Sequence, residues 1–350
     1  MLKRFLFMVC FVSFLLRAQW SFADVSKAGV LFLLIDPDAR AGGMGGASVA
    51  LTDDALATYY NPAGMTGVKL VSGELSYCQW LPQLASDLHY IHGCGVIKLA
   101  GLGHTGVAFT YLSLGGNVRT DEFGNVKGTF NSHELAMAVS YADQLTDNFS
   151  SGLSAKFIYS HLAERGAGME RGKGTGTTFA LDLGILYKNI LPQLTILGTA
   201  THPDFAKFLS NRKSHGLSLG LVISNIGPDI SYEDLDQKDP LPRELRIGAA
   251  YRAVDTDIVG VNLAIDYCRE LVDGSDFIIK GGVEATFLYL LTLRCGYHHD
   301  EEGDVKHMTY GLGIGPEWVR LNLSFVPKGE YALSGTTRFS LSFDCPSSVF

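Results

Sequence analysis

From residue 68 onward the chain alternates apolar and polar side chains with a period of two, and this pattern limits the fold more than any other feature. Residues 68–80 place Val71, Leu75 and Tyr77 on one face and Ser72, Glu74 and Ser76 on the other. Residues 131–142 set Leu135, Met137, Val139 and Tyr141 against Glu134, Ala136 and Ser140. Residues 177–187 set Phe179, Leu181, Leu183, Ile185 and Tyr187 against Asp182, and residues 257–268 set Val259, Val261, Leu263, Ile265 and Tyr267 against Asn262 and Asp266. Successive side chains of a strand point to opposite faces, so each segment is a strand with one greasy face and one polar face. Similar stretches lie near 87–99, 104–115, 149–160, 214–224, 243–252, 276–287, 288–298, 307–315, 317–327 and 336–344, which makes fourteen. Most are about ten residues long, the length a tilted strand needs to cross a bilayer.

A soluble β-sandwich or propeller also alternates. Two features favour a membrane barrel. Tyrosines sit near the ends of the apolar faces (Tyr77, Tyr111, Tyr141, Tyr159, Tyr187, Tyr251, Tyr267 and Tyr297), as an interfacial girdle requires. The connections also alternate in length, with long ones at 81–86, 116–130, 161–176, 225–242, 270–275, 299–306 and 328–335. The other connections are short turns, except for 189–213. Lipid offers no partner to a free strand edge, so such a sheet must close. The expected fold is all-β, a transmembrane antiparallel barrel of about fourteen strands.

Residues 1–23 carry Lys3 and Arg4, then an apolar stretch, then small residues at Ser21 and Ala23, the pattern of a secretory signal. Cleavage after Ala23 removes Lys3, Arg4 and Arg17 and takes the net charge from -8 to -11. That acidity argues against nucleic acid, whose phosphates need basic patches. No later apolar run reaches the ~18 residues of a membrane helix. Cys78, Cys94, Cys268, Cys295 and Cys345 remain, an odd number without a CxxC. They read as small packing residues, with a Cys78–Cys94 bridge as the alternative.

Two motifs suggest chemistry, and neither has the helix or the sharp turn that its chemistry needs. "GLGHTG" (101–106) matches GxGxxG, with Asp121 twenty residues after Gly101, but a strand follows where a dinucleotide fingerprint needs a helix. A tight inner turn is the better reading. "GLSLG" (216–220) matches GxSxG, but Leu217, Leu219, Leu221 and Ile223 continue a strand where a nucleophile elbow needs a sharp turn. "HHDEE" (298–302) reads as a solvated loop tip rather than a metal site. No enzyme, cofactor or metal is expected.

Polar residues on inward faces are Glu74, Glu134, Lys156, Asp182, Asp266, Lys280, Glu284, Arg294, Arg320 and Arg338. Their mixed signs fit a hydrated lumen that braces a plug. The plug is expected at 24–67, between signal and barrel (68–350). Its run "AGGMGGA" contains Gly42, Gly43, Gly45 and Gly46, which let backbone pack closely or turn sharply. Thr52 is expected to cap a short helix with Asp53 and Asp54 at its positive end, and Pro62 to stop it by Asn61.

"PDARAGGMGGASVALTDDALATYYNPAGM" (37–65) resembles the N-terminal signature of the PorV/PorQ group, within the superfamily of FadL-type long-chain fatty acid transporters. Further matching stretches are "DLGILYK" (182–188), "SNIGP" (224–228), "LPRELRIGAAYR" (241–252), "KGGVEA" (280–285) and "LRCGY" (293–297). Spirochaete barrel families of unassigned function share the general pattern. The resemblance implies a fourteen-stranded barrel in the outer membrane of a diderm bacterium, with an N-terminal hatch in its lumen. "NPAG" (61–64) is similar to the hatch motif of the fatty-acid transporters, which points to Asn61 and Pro62. The segment 189–213 and the tail after Phe343 depart from the pattern. Two jobs are implied: uptake of fatty acids or other hydrophobic small molecules, or a type IX secretion role that receives cargo at the surface. The expected partners are therefore outer-membrane lipid, a hydrophobic ligand and secretion-system proteins. An uptake barrel should carry an apolar pocket where hatch meets wall.

Overall fold

The computed structural model describes residues 28–121, 123–163, 174–190, 216–232, 238–256, 258–272, 277–301, 305–316, 318–328 and 335–345. The signal segment, most of 189–213 and the tail after Cys345 lie outside the described residues.

Fourteen strands among the described residues close into one antiparallel barrel, each beside its sequence neighbours and the first paired with the last. They are β1 (Val71–Gln79), β2 (Leu88–Leu99), β3 (Gly103–Thr120), β4 (Val126–Thr146), β5 (Phe149–His161), β6 (Thr175–Tyr187) and β7 (Leu217–Ile226). Then come β8 (Glu244–Asp255), β9 (Val259–Glu270), β10 (Ile278–Phe287), β11 (Leu291–Asp300), β12 (Val305–Ile314), β13 (Val319–Phe325) and β14 (Thr337–Cys345). Closure is made by Leu75 opposite Leu341 and Tyr77 opposite Phe339. It leaves no edge for lipid to strand.

The alternation read from the sequence is the division between lipid and lumen. Leu75, Val139 and Phe179 are more than 60% exposed, while Glu74, Ser140 and Asp182 on the opposite faces are buried. A water-soluble sandwich would bury those apolar faces, so this inversion belongs in a bilayer. One expected loop is a correction: 116–130 is largely strand, because Gly116–Thr120 of β3 stays paired with Val126–Asn131 of β4 and carries that hairpin past its neighbours. The turns at 100–102, 147–148 and 288–290 are short, which marks their side as periplasmic. "GLGHTG" forms one of these turns, with Gly101 and Gly103 at positive φ, and Ser218 of "GLSLG" lies buried within β7.

The Cys78–Cys94 alternative is not realised, and both thiols are free. Cys78 lies opposite Tyr90 and Cys94 opposite Glu74, four residues lower on β1. At about 3.4 Å per residue that offset is beyond disulfide reach.

Residues 28–67 lie inside the barrel as short turns. A 3-10 turn (Leu31–Leu34) precedes helix α1 (Ala39–Gly43), helix α2 (Ala57–Tyr60) and a second 3-10 turn (Pro62–Gly67). Asp38 caps α1 by accepting the Ala41 N–H at 2.9 Å. The expected cap of α2 is a second correction. Thr52 Oγ1 donates to the Ser48 carbonyl at 3.2 Å, and α2 begins only at Ala57, after Leu56. Asp54 instead makes a local turn, accepting the Leu56 N–H at 3.0 Å. The stop is where Pro62 requires it, with Asn61 in extended backbone.

Candidate functional site

Cross-strand glycine pairs on the inner wall let the hatch come close. Gly152 pairs with Gly184, Gly220 with Gly248, and Gly282 with Gly296. A Cβ at Gly152 would meet the backbone of Pro62 and Ala63 at about 2.5 Å, one at Gly220 the Val49 carbonyl at 2.7 Å, and one at Gly282 the Met44 carbonyl at 2.6 Å. The hatch backbone thus lies directly on the wall backbone. On its own side, Gly45 and Gly46 adopt positive φ, and a Cβ at Gly45 would strike the Tyr297 carbonyl at 2.5 Å. Gly42 faces Ser324 and Arg338, and Gly43 faces Gly311.

Polar bonds fix this close fit around the circumference. Asp266 of β9 accepts the Ser48 and Val49 N–H groups at 2.6 and 2.9 Å. Gly45 donates to Thr309 of β12 at 3.0 Å, and Ala55 to Ser72 of β1 at 2.9 Å. Asn61 Nδ2 bridges the Val49 carbonyl and the Ile185 carbonyl of β6 at 3.0 and 3.1 Å, while its Oδ1 accepts the Ala63 N–H. Pro62 packs beside Asn61 against Gly184.

One charge cluster bolts α1 to the wall. Arg40 reaches Glu284 of β10 at 3.2 Å, Asp54 at 2.9 Å and Asp53 at 3.7 Å. Arg294 of β11 holds the same Glu284 at 2.7 Å and Asn322 of β13 at 2.9 Å. A buried carboxylate between two guanidiniums is tolerable because both partners are fixed and its oxygens are filled. A second ion pair joins Lys280 to Asp36 at 3.1 Å, and Arg338 donates to the Asp36 carbonyl at 3.1 Å. In the hatch, burial pushes the Asp54 carboxyl up to about 7 despite the pull of Arg40, and Asp53, Asp344 and Asp38 push the same way.

The expected lumen residues therefore fall into groups. Asp266, Lys280, Glu284, Arg294 and Arg338 meet the hatch. Lys156 and Asp182 pair with each other at 2.7 Å, and Lys156 also reaches Asn225. Glu134 accepts from Ser160 at 2.9 Å. Glu74 and Arg320 line a cavity of about 480 Å³ on the periplasmic side of the hatch, with Arg40, Asp53, Asp54 and Lys188. Sequence reasoning missed Arg40 and Asp36. Arg40 lies in the quoted "PDAR" and Asp36 directly before it, but nothing local reveals partners 244 residues away.

Outside the hatch the wall changes character. Tyr90, Leu112, Ala136, Ile158 and Ala180 turn apolar groups inward and form one buried layer with Ile230 and Leu241 of the β7–β8 connection. Val30, Phe32 and Leu33 of the chain's own N-terminal segment fill it. Tyr59 holds that segment with its hydroxyl 2.8 Å from both the Leu33 and the Ile35 carbonyls, its one proton shared between them. A small void of about 20 Å³ remains against Leu33, Tyr59, Ala136 and Ala138. The apolar pocket expected where hatch meets wall is therefore nearly full, and the roomy cavity is the polar one.

A family model described as "Type IX secretion system protein PorV" matches residues 21–275. The chain belongs to this family. No curated protein matches the PorV-family chain by sequence. Its fold is similar to that of the P. putida toluene transporter TodX, at 12% identity and a TM-score of 0.54 over 89% of this chain and 98% of that one. A TodX deltaS2S3 mutant, described as a monoaromatic hydrocarbon channel, is similar at 13% identity and a TM-score of 0.52, over 87% and 97%. A Pseudomonas aeruginosa FadL homologue is similar at 10% identity and a TM-score of 0.48, over 93% and 100%. At such identities the likeness is one of fold: a closed outer-membrane barrel shared with transport channels.

Proposed function

We propose that this PorV-family barrel takes up hydrophobic small molecules such as long-chain fatty acids, and that residues 24–67 act as its hatch. The observation that carries the reading is the inward apolar layer of Tyr90, Leu112, Ala136, Ile158 and Ala180. A hydrated lumen has no use for such a layer. An apolar molecule entering from outside does, since each CH₂ it buries gains about 0.8 kcal/mol. In this state the layer is occupied by Val30, Phe32 and Leu33, so the ligand would displace the chain's own segment. Below it, Gly42, Gly43, Gly45, Gly46, Asp53, Asp54, Asn61 and Pro62 form the gate whose shift opens the polar cavity. The chain acts as a carrier rather than an enzyme.

The test is equilibrium binding of a labelled long-chain carboxylate to the detergent-purified barrel. The wild type should bind saturably, and Ile158→Asp should lose at least tenfold in affinity. Absence of saturable binding in the wild type would refute uptake.

A second reading follows from family membership: a component of type IX secretion that receives exported cargo at the cell surface. The bolted hatch favours it, since a docking platform needs a sealed lumen. It predicts retention of a secreted cargo domain by the outer loops, unaffected by Ile158→Asp.

A further inference from the structure

Three histidines stand on the outer, lipid-facing side of the wall in one cross-strand row. Gln79 lies opposite His89, His89 opposite Ser113, Ser113 opposite His133, His133 opposite His161, and His161 opposite Thr175. This row is the next outward-facing one beyond the tyrosine row of Tyr77, Tyr111 and Tyr159, toward the extracellular side. At that level a side chain meets lipid headgroups and water rather than acyl chains. We propose that His133 and His161 form a two-imidazole site for a divalent transition-metal ion, with zinc as the reference case.

The geometry supports a shared ion. Directly opposed residues of an antiparallel pair have Cβ atoms about 5 Å apart. Two imidazoles on a tetrahedral zinc, each nitrogen about 2 Å from the ion, put their ring centres about 5 Å apart. The His133 and His161 ring centres are 5.4 Å apart with planes tilted by 44°. The tilt matters, because an ion bound in the plane of both rings must lie on the line where the planes meet. The other opposed pair, His298 and His307 in the lumen, has centres 5.1 Å apart but planes only 16° apart. Those stacked rings have no such line near them.

Both rings are also held in place. His161 Nδ1 lies 2.8 Å from Thr175 Oγ1. If Nδ1 donates there, the Nε2 lone pair is free for the ion, the arrangement metal-binding histidines commonly use. His133 sits between Tyr111 and Tyr159, with both ring centres 5.8 Å away. No group of three or more His, Cys, Asp and Glu side chains is assembled for a metal among the described residues. The pair would therefore leave coordination positions open to water or to an outside ligand. Imidazole donors suit zinc, copper or nickel rather than calcium or magnesium.

The test is a zinc titration of the detergent-purified full chain at neutral pH, read by calorimetry, with heat-modifiable gel mobility as the check that each variant is a closed barrel. The wild type should bind one zinc ion, and His133→Asn and His161→Asn should each lose at least tenfold in affinity. Thr175→Val should lose about tenfold, the usual effect of removing a partner that orients a ligand. His89→Asn and His307→Asn should bind as the wild type does. An anomalous peak between the two rings in a zinc-soaked crystal would give the position. No stoichiometric zinc in the wild type, full binding by His133→Asn or His161→Asn, or loss in His307→Asn would overturn the proposal.

Discussion

Arg40 is the side chain on which the seating of residues 28–67 in the lumen most depends, because three carboxylates from two parts of the molecule converge on it. Replacing it by Ala leaves Glu284 with one guanidinium and Asp54 with none. We expect a loss of about 3 kcal/mol, the lower end for breaking a buried pair, read as an earlier urea transition of the folded barrel. Asp54 gives the cluster a pH dependence. Its carboxyl is raised to about 7 in the folded protein, so folding favours its protonated form. That contribution is complete below the ordinary value near 3.8 and is lost as pH rises through about 7. The protection factors of amides 47–60, each taken against its intrinsic exchange rate at that pH, should therefore be larger at pH 5 than at pH 8, and Asp54→Asn should flatten the difference. The same slope in Asp54→Asn would assign it to another group. Sequence placed both aspartates in the hatch but gave them to a helix end. Their partner Arg40 could not be read, because a charge pair between distant segments leaves no periodic trace.

The strands are the elements most legible in the sequence. A lipid-facing side and a lumen side differ at every second residue, so period and number follow, while the lengths of β3 and β4 do not, because their hairpin runs on past the bilayer. The lipid face predicts its own sensitivity: Leu183→Arg, midway along β6, should cost about 2–4 kcal/mol in a bilayer, measured by reversible folding into liposomes. The stretch 28–67 was legible as lying apart from the strands rather than as elements. Arg40 apart, the side chains of α1 and α2 (Ala39, Ala41, Ala57, Thr58, Tyr59 and Tyr60) are buried, and helices this short show no amphipathic period. The wall glycines share that difficulty, since a glycine facing a hatch looks like any strand glycine until the hatch is in place. A Cβ at Gly184 would meet Asn61 Oδ1 and come within 2.9 Å of Pro62. Gly184→Val should thus loosen the hatch by about 1–3 kcal/mol, the range for overpacking, without opening the barrel. It should appear as raised ion conductance in planar bilayers, whereas unchanged conductance would mean that the Asn61–Pro62 contact does not seal the lumen.

At the scale of the whole molecule the lumen has three layers. An apolar layer facing outside is filled by the N-terminal segment, a hatch is pressed on glycines and bolted by Arg40, and a polar cavity opens below. Uptake requires the middle layer to move while the outer layer binds. The native thiol of Cys94 on β2 lies within hydrogen-bond reach of the Thr58 side chain on α2, so Thr58→Cys places a second thiol where a disulfide can tie hatch to wall. The decisive measurement is transfer of a labelled fatty acid into proteoliposomes by Thr58→Cys, oxidised and then reduced. Uptake through the hatch predicts that the oxidised protein still binds the ligand, transfers none, and recovers on reduction. Equal transfer in both states would contradict it.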